Sequence, residues 1–132
     1  MAEAVQSPVE SPRKVTNIVL WVLQIVAAVL FLMAGGAKLA GAAPMVATFN
    51  AIGVGQWFRY VTGGIEIVSA VLLLVPGMAA FGAGLLVCTM LGAIVSHVTI
   101  LHTSPAVPVV LLIVVAAILW GRWEQSAARL RQ

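Results

Sequence analysis

The chain has 132 residues, of which 62% are hydrophobic and only 8% are charged, and its mean hydropathy is +1.11. A soluble domain is nearer one-half apolar and about one-quarter charged, so this composition excludes a soluble enzyme or a soluble binding domain. The net charge of +3 and the pI near 9.8 reflect a few basic residues beside apolar segments. They indicate orientation in a membrane rather than nucleic-acid binding.

Four long apolar stretches follow a polar N-terminal segment. Residues 1–16 contain Pro8 and Pro12 and are typical of a flexible arm. The apolar stretches span about 22 to 36 Å at 1.5 Å per residue, against about 30 Å for the hydrocarbon core of a bilayer. We therefore predict an all-α membrane protein, a four-transmembrane-helix bundle over residues 17–123 with a short tail over 124–132. The predicted helices are 17–39, 58–75, 78–101 and 106–120.

A short amphipathic segment separates the first two predicted helices. Met45, Phe49 and Ile52 recur at helical spacing between Pro44 and Gly53, which predicts a short helix lying in the outer membrane interface. Two interpretations stay open, a connector between the membrane helices or a lid over a lateral pocket.

The basic residues predict that both termini lie in the cytoplasm. Loops on the cytoplasmic side carry an excess of Lys and Arg, and five of the seven basic residues lie in or beside the tails. These five are Arg13, Lys14, Arg122, Arg129 and Arg131. The segment 40–57 is then expected on the outer side.

Glu66 lies inside an apolar stretch whose one other charged residue is Arg59 at its start, and it is the first candidate for a functional residue. A carboxylate at membrane depth is costly, so it normally has a partner or a chemical role. By helical rise it lies about 10–12 Å below the outer boundary. Lys38, near the outer end of the first helix, and His97, near the outer end of the third, are then expected in the same half of the membrane. Lys38 and Arg59 are the two candidate partners for its charge.

Three interpretations of the polar cluster, which we define as Lys38, Arg59, Glu66 and His97, stay open at this point. In the first, an ion pair with His97 as a hydrogen-bond partner fixes the helix register. In the second, a pocket flanked by Phe31 and Phe49 binds a polar-headed apolar ligand such as a quinone, because a carboxylate and an imidazole exchange protons and bind carbonyl oxygens. In the third, the carboxylate carries protons in coupled transport.

Small residues recur every four positions on the third predicted helix, at Gly84, Cys88, Gly92 and Ser96. Such a stripe permits close approach of another helix backbone, so we predict a helix-packing face. The pairs Gly35-Gly36 and Gly63-Gly64 provide further close-approach points on the first and second helices.

Neither metal nor thiol chemistry is indicated. His97 and His102 are five residues apart, a spacing that diverges around a helix, and no third ligand is evident. With Cys88 alone there is neither an intrachain disulfide nor a Cys-x-x-Cys redox centre, which argues against a four-helix thiol oxidoreductase.

Four short motifs occur in a fixed order: Gly-x-x-Lys at 35–38, Phe…Gly at 49–53, Gly-x-x-Glu at 63–66, and His97. In this order, over about residues 17–121, the sequence resembles the DoxX-like family of small bacterial membrane proteins. The family name comes from a subunit of a thiosulfate:quinone oxidoreductase. The resemblance implies a four-helix fold in the bacterial inner membrane and an association with quinones or membrane redox complexes, without assigning a reaction. The segments that carry it are FLMAGGAKLAG (31–41), MVATFNAIGVGQWFRYVTGGIEIVSAVLLLVP (45–76) and MLGAIVSHVTI (90–100).

The functional prediction is an accessory subunit of a larger membrane complex of the oxidoreductase type, close to a quinone. We expect no intrinsic cofactor and no independent catalytic activity. The expected partners are the lipid bilayer and other membrane-protein subunits. The alternative is a non-catalytic scaffold or assembly factor whose ion pair is purely structural.

Overall fold

The computed structural model describes the backbone of residues 2–130 and the side chains of residues 14–125. Within this part of the chain every regular element is a helix and there is no strand. The predicted fold class is therefore confirmed, including the short helix between the first two membrane helices. The elements are α1 (Ala2–Ala40), α2 (Ala43–Ile52), α3 (Trp57–Leu74), α4 (Ala79–Ser96), a π-helix (His97–Leu101) and α5 (Ala106–Leu130).

Four helical segments are long and apolar enough to cross a membrane: Lys14–Ala40, Trp57–Leu74, Ala79–Leu101 and Ala106–Gln125. The protein is therefore a small integral membrane protein. The backbone of α1 begins at Ala2 and that of α5 continues to Leu130. The predicted arm over 1–16 and tail over 124–132 stay predictions, because most of their side chains lie outside the described residues.

The membrane helices form a ring in which α1 contacts α3, α3 contacts α4, α4 contacts α5, and α5 returns to α1. Their inward faces pack around a core of buried apolar side chains, which removes that surface from lipid and fixes the helices against one another. The largest fully buried apolar side chains are Phe31, Leu73, Leu86, Val115 and Ile118.

Close approaches between helices occur at glycines. A Cβ atom on Gly35 would lie 2.8 Å from the carbonyl oxygen of Gly63, and one on Gly82 would lie 2.7 Å from that of Ser69. Both distances are too short for a real side chain, so α1–α3 and α3–α4 packing depend on these positions. The predicted close-approach points at Gly35 and Gly63 are thus confirmed, whereas a Cβ on Gly36 or Gly64 meets nothing within 4 Å.

The packing stripe predicted on α4 is wrong for contacts within the described chain. A Cβ on Gly84 or Gly92 would meet no atom within 4 Å, and Cys88 is exposed. Gly82, two residues from the predicted stripe, makes the backbone approach instead. The helical spacing of small residues does not reveal which face of a helix meets its neighbour.

Candidate functional site

A cavity of about 720 Å³ lies at the end of the bundle opposite the chain termini. It is bounded by the C-terminal part of α1, the N-terminal part of α3, the C-terminal part of α4 and the start of α5, with α2 across it. We call it the α2 cavity. Most of its wall is apolar, and its larger apolar residues include Phe31, Met45, Phe49, Ile52, Leu101 and Leu111.

Lys38 and Glu66 form an ion pair on the wall of the α2 cavity. The Nζ atom of Lys38 lies 2.7 Å from Oε1 of Glu66, and their side chains are 14% and 2% exposed. At this distance the ammonium of Lys38 and Oε1 of Glu66 are in direct contact. The pair neutralises the charge and leaves acceptor capacity on the carboxylate.

Arg59, the other candidate partner, does not pair with Glu66. Its Nη1 donates a hydrogen bond to the carbonyl of Lys38 and its Nε donates to Oε1 of Gln56 at 2.7 Å. The guanidinium also lies 4.3 Å from the centre of the Tyr60 ring. Arg59 is buried and fastens the end of α1 to the start of α3, so its role is to hold the turn above the ion pair.

His97 lines the same cavity but does not bond to Glu66. It opens the π-helix, and its Nδ1 lies 2.6 Å from Oγ1 of Thr103. The backbone N–H of Thr103 also donates to the carbonyl of His97 at 2.9 Å. These bonds orient the ring, and they leave Nε2 as the ring nitrogen without a hydrogen bond among the described residues.

Phe31 and Phe49 both line the cavity and are 1% and 5% exposed. Phe31 projects from α1 into the core, whereas Phe49 belongs to α2 and packs edge-to-face on Phe58 with ring centroids 5.8 Å apart. The two rings provide flat apolar walls on the inner side and the α2 side of the cavity.

Helix α2 presents one face to the cavity, formed by Met45, Thr48, Phe49 and Ile52. These positions follow the i, i+3, i+4, i+7 spacing of a helix face. The helix ends at Gly53, whose positive φ of 83° suits glycine and whose N–H donates to the carbonyl of Phe49. Helix α2 therefore covers the cavity as well as connecting α1 to α3.

The side chain of Gln56 holds α2 in this position. Its Nε2 donates to the carbonyl of Val46 at 3.1 Å and to Oδ1 of Asn50 at 2.7 Å. Gln56 Oε1 also accepts a hydrogen bond from Arg59, and Arg59 bonds to the end of α1. The hydrogen bonds that hold α2 and those that hold α1 are therefore connected.

Three of the four small residues on α4, Cys88, Gly92 and Ser96, line the cavity. They leave volume beside the ion pair instead of admitting another helix of this chain. The small side chains of these residues therefore leave space for the cavity.

The sequence profile of the DoxX-like family matches residues 22–119. The chain belongs to the DoxX-like family. The matched region contains the whole polar cluster and α2, so the cavity lies within the family domain. No curated protein and no solved structure matches the chain.

In this DoxX-like protein the structure adds two features that sequence reasoning missed. One is the π-helix with its His97–Thr103 bond, for which no local sequence signal exists. The other is Arg122, which in the sequence is only a basic residue near the last helix but is buried in the structure. An arginine preceded by Trp120 and followed by Trp123 at the end of an apolar helix is a weak sign of such an interfacial position.

The chemistry open to the α2 cavity follows from its composition. Its walls are mostly apolar and its volume lies in the range of small-molecule sites. The ion pair and the imidazole offer hydrogen-bond donors and acceptors on these walls. This composition suits a ligand with a polar head and an apolar body.

Proposed function

We propose that this DoxX-like protein is an accessory subunit of a larger membrane oxidoreductase-type complex and that its α2 cavity holds a quinone. The observation that carries the proposal is the Lys38–Glu66 pair, with His97, on the wall of a cavity of about 720 Å³ that is otherwise largely apolar. We also propose the bacterial inner membrane as its location.

The fit to a quinone rests on the distribution of polar and apolar groups. A quinone has two carbonyl oxygens that accept hydrogen bonds, and an isoprenoid tail that belongs in an apolar space. Lys38 and the free ring nitrogen of His97 are candidate groups for the carbonyl oxygens, and Phe31 and Phe49 flank the ring. Val61 and Ile65 also line the cavity and are 45% and 38% exposed, which provides a lateral route for the tail into the bilayer.

When bound, a quinone supplies two-electron, two-proton redox chemistry to the complex that contains it. The residues of this chain contribute binding and orientation. Glu66 holds the Lys38 ammonium in place, His97 forms a hydrogen bond with the head group, and α2 limits the access of water. The electron donor belongs to another subunit in this proposal.

The test measures binding of a short-chain ubiquinone by quenching of tryptophan fluorescence in detergent. We expect His97→Ala to keep its fold and thermal unfolding midpoint but to bind the quinone about tenfold more weakly, the effect of a lost hydrogen bond to a polar ligand. Gly92→Phe should abolish binding, because Gly92 lines the cavity and has open space where a side chain would project.

Gly84→Phe is the matched control. Gly84 lies on the same helix and also has open space beside it, but it does not line the cavity. This variant should bind quinone as the wild type does. Equal binding by the Gly92 and Gly84 variants, or normal binding by a less stable His97→Ala protein, would contradict the quinone site and make His97 a packing residue.

A scaffold or assembly factor is the second candidate function. The observation in its favour is that Lys38 and Glu66 already neutralise each other, and Arg59 already fastens α1 to α3, without any ligand. On this alternative the chain purified natively in mild detergent would carry protein partners but no quinone. Mass spectrometry of the co-purified proteins and lipids distinguishes the two.

A further inference from the structure

A second polar site lies at the other end of the bundle, around Arg122. The side chain is only 7% exposed. Its Nε donates to Oε1 of Gln24 at 2.6 Å, and its Nη1 donates to Oδ1 of Asn17 and Oε1 of Gln125, both at 2.9 Å. Gln24 is itself fixed, because its Nε2 donates to the carbonyl of Leu73 at 2.6 Å. The guanidinium is therefore held rigidly between α1, α3 and α5.

The three acceptors of Arg122 are neutral amide oxygens, so no described carboxylate compensates its charge. Lys38–Glu66 is the only ion pair among the described side chains. The Nη2 atom is buried and has no hydrogen-bond partner there, which leaves two N–H donors of the guanidinium unused. A buried cation with free donors is costly unless an anion completes it.

A small cavity of about 150 Å³ adjoins this guanidinium. Its wall is formed by the middle of α1, the C-terminal part of α5 and the α3–α4 turn, and the lining residues include Asn17, Trp21, Gln24, Val75, Gly77 and Arg122. Arg122 lies between Trp120 and Trp123 near the end of the last apolar helix, and tryptophan is enriched at the membrane–water interface. This favours the phosphate layer of a bilayer over its centre.

We propose that this cavity, the Arg122 cavity, is a binding site for a phosphate-type anion, supplied by the head group of an anionic phospholipid. The two N–H groups of Nη2 are charge-assisted donors for phosphate oxygens, and arginine pockets between membrane helices are suited to such head groups. The centre of the Trp21 ring lies 5.7 Å from Cζ of Arg122, and in this proposal the ring forms the apolar edge of the site next to the lipid chain. The site is independent of the α2 cavity, which lies at the opposite end.

The experiment uses the full chain purified in an uncharged detergent. The thermal unfolding midpoint is followed by tryptophan fluorescence, and bound lipid is counted by native mass spectrometry. Three titrants are compared: phosphatidylglycerol, phosphatidylcholine with the same acyl chains, and inorganic phosphate against chloride at equal ionic strength. We expect phosphatidylglycerol to raise the midpoint and stay bound, and phosphatidylcholine to do neither. A similar rise with inorganic phosphate would support the anion site and identify a free anion as a second source.

Two substitutions test whether Arg122 carries this effect. Arg122→Gln removes the charge and should lose the response to phosphatidylglycerol. Since removal of a buried arginine endangers folding, Val75→Glu provides a second route: Val75 lines the cavity and is 39% exposed, so a carboxylate there supplies an internal anion. This variant should unfold at a higher temperature without lipid and bind phosphatidylglycerol about tenfold more weakly. Val75→Gln has the same size without the charge and should behave as the wild type.

Two results would overturn the proposal. One is a wild-type protein that responds equally to phosphatidylglycerol and phosphatidylcholine and does not respond to phosphate. The other is a response to phosphatidylglycerol that is the same in Val75→Glu as in Val75→Gln. In either case Arg122 would be a structural hydrogen-bond donor to Asn17, Gln24 and Gln125 and nothing more.

Discussion

At the scale of single residues, Lys38 and Arg122 differ in the partners that each one has. Lys38 has a carboxylate at 2.7 Å, whereas the acceptors of Arg122 among the described residues are amide oxygens. A buried guanidinium that keeps a nitrogen without a hydrogen-bond partner, as Arg122 does at Nη2 among the described residues, favours an external anion. Depth along the helices was enough to predict that Lys38 and Glu66 lie at one level. It was not enough to choose between Lys38 and Arg59, because depth does not determine the direction in which a long side chain turns.

Loss of the Glu66 charge should leave Lys38 unpaired. Glu66→Gln should destabilise the protein by about 3–5 kcal/mol, since it leaves the largely buried Lys38 ammonium unpaired. Lys38→Met combined with Glu66→Gln should recover much of that loss, because no charge is then left. The measurement is thermal unfolding in detergent. A double variant as unstable as Glu66→Gln alone would show that the Lys38 charge is not what Glu66 compensates.

At the scale of elements, the sequence predicts where the helices lie along the chain, but not which face of a helix contacts its neighbour. The apolar stretches predicted all four membrane helices, although α1 begins earlier, at Ala2, and α5 ends later, at Leu130. The Met45–Phe49–Ile52 spacing predicted α2. The π-helix was not predictable, because a π turn results from tertiary packing at the end of α4 and has no pattern of its own. It nevertheless determines the site, since it lies where His97 bonds to Thr103 across six residues.

The glycines of α4 give a prediction at this scale. Gly82→Ala should destabilise the bundle by about 1–3 kcal/mol, because its Cβ would lie 2.7 Å from the backbone oxygen of Ser69 and force α3 and α4 apart. Gly84→Ala is the control and should be neutral or stabilising by up to about 1 kcal/mol, since the space beside it is open and alanine favours a helix.

Thermal unfolding of the two alanine variants in one detergent checks this prediction. The reverse order of stability would mean that Gly84, and not Gly82, meets a helix, as the sequence pattern had predicted. A monomeric state in both preparations must be established first, because contact with a second copy would also restrict Gly84.

At the scale of the whole molecule, the bundle has two chemically different ends. The end opposite the termini contains the larger, mostly apolar α2 cavity, with the Lys38–Glu66 ion pair on its wall and α2 across it. The end near the termini contains the smaller Arg122 cavity, in which no described carboxylate pairs with the arginine. The sequence predicted the first end from three ionisable residues at similar depth. It could not predict the second, because the amides of Asn17 and Gln24 approach Arg122 only after α1 and α5 have packed.

Which end faces the cytoplasm is the last prediction. Five of the seven basic residues lie in or beside the tails, so both termini should be cytoplasmic and the α2 cavity should face the outside. Cysteine scanning in intact bacterial cells checks this, with Cys88 first replaced by alanine because it is exposed. Val54→Cys, in the loop after α2 and 54% exposed, should react with a membrane-impermeant thiol reagent. Glu124→Cys should react only after the cells are opened. The opposite pattern would place Arg122 in the outer leaflet, and the Arg122 cavity would then have to bind its anion from that side.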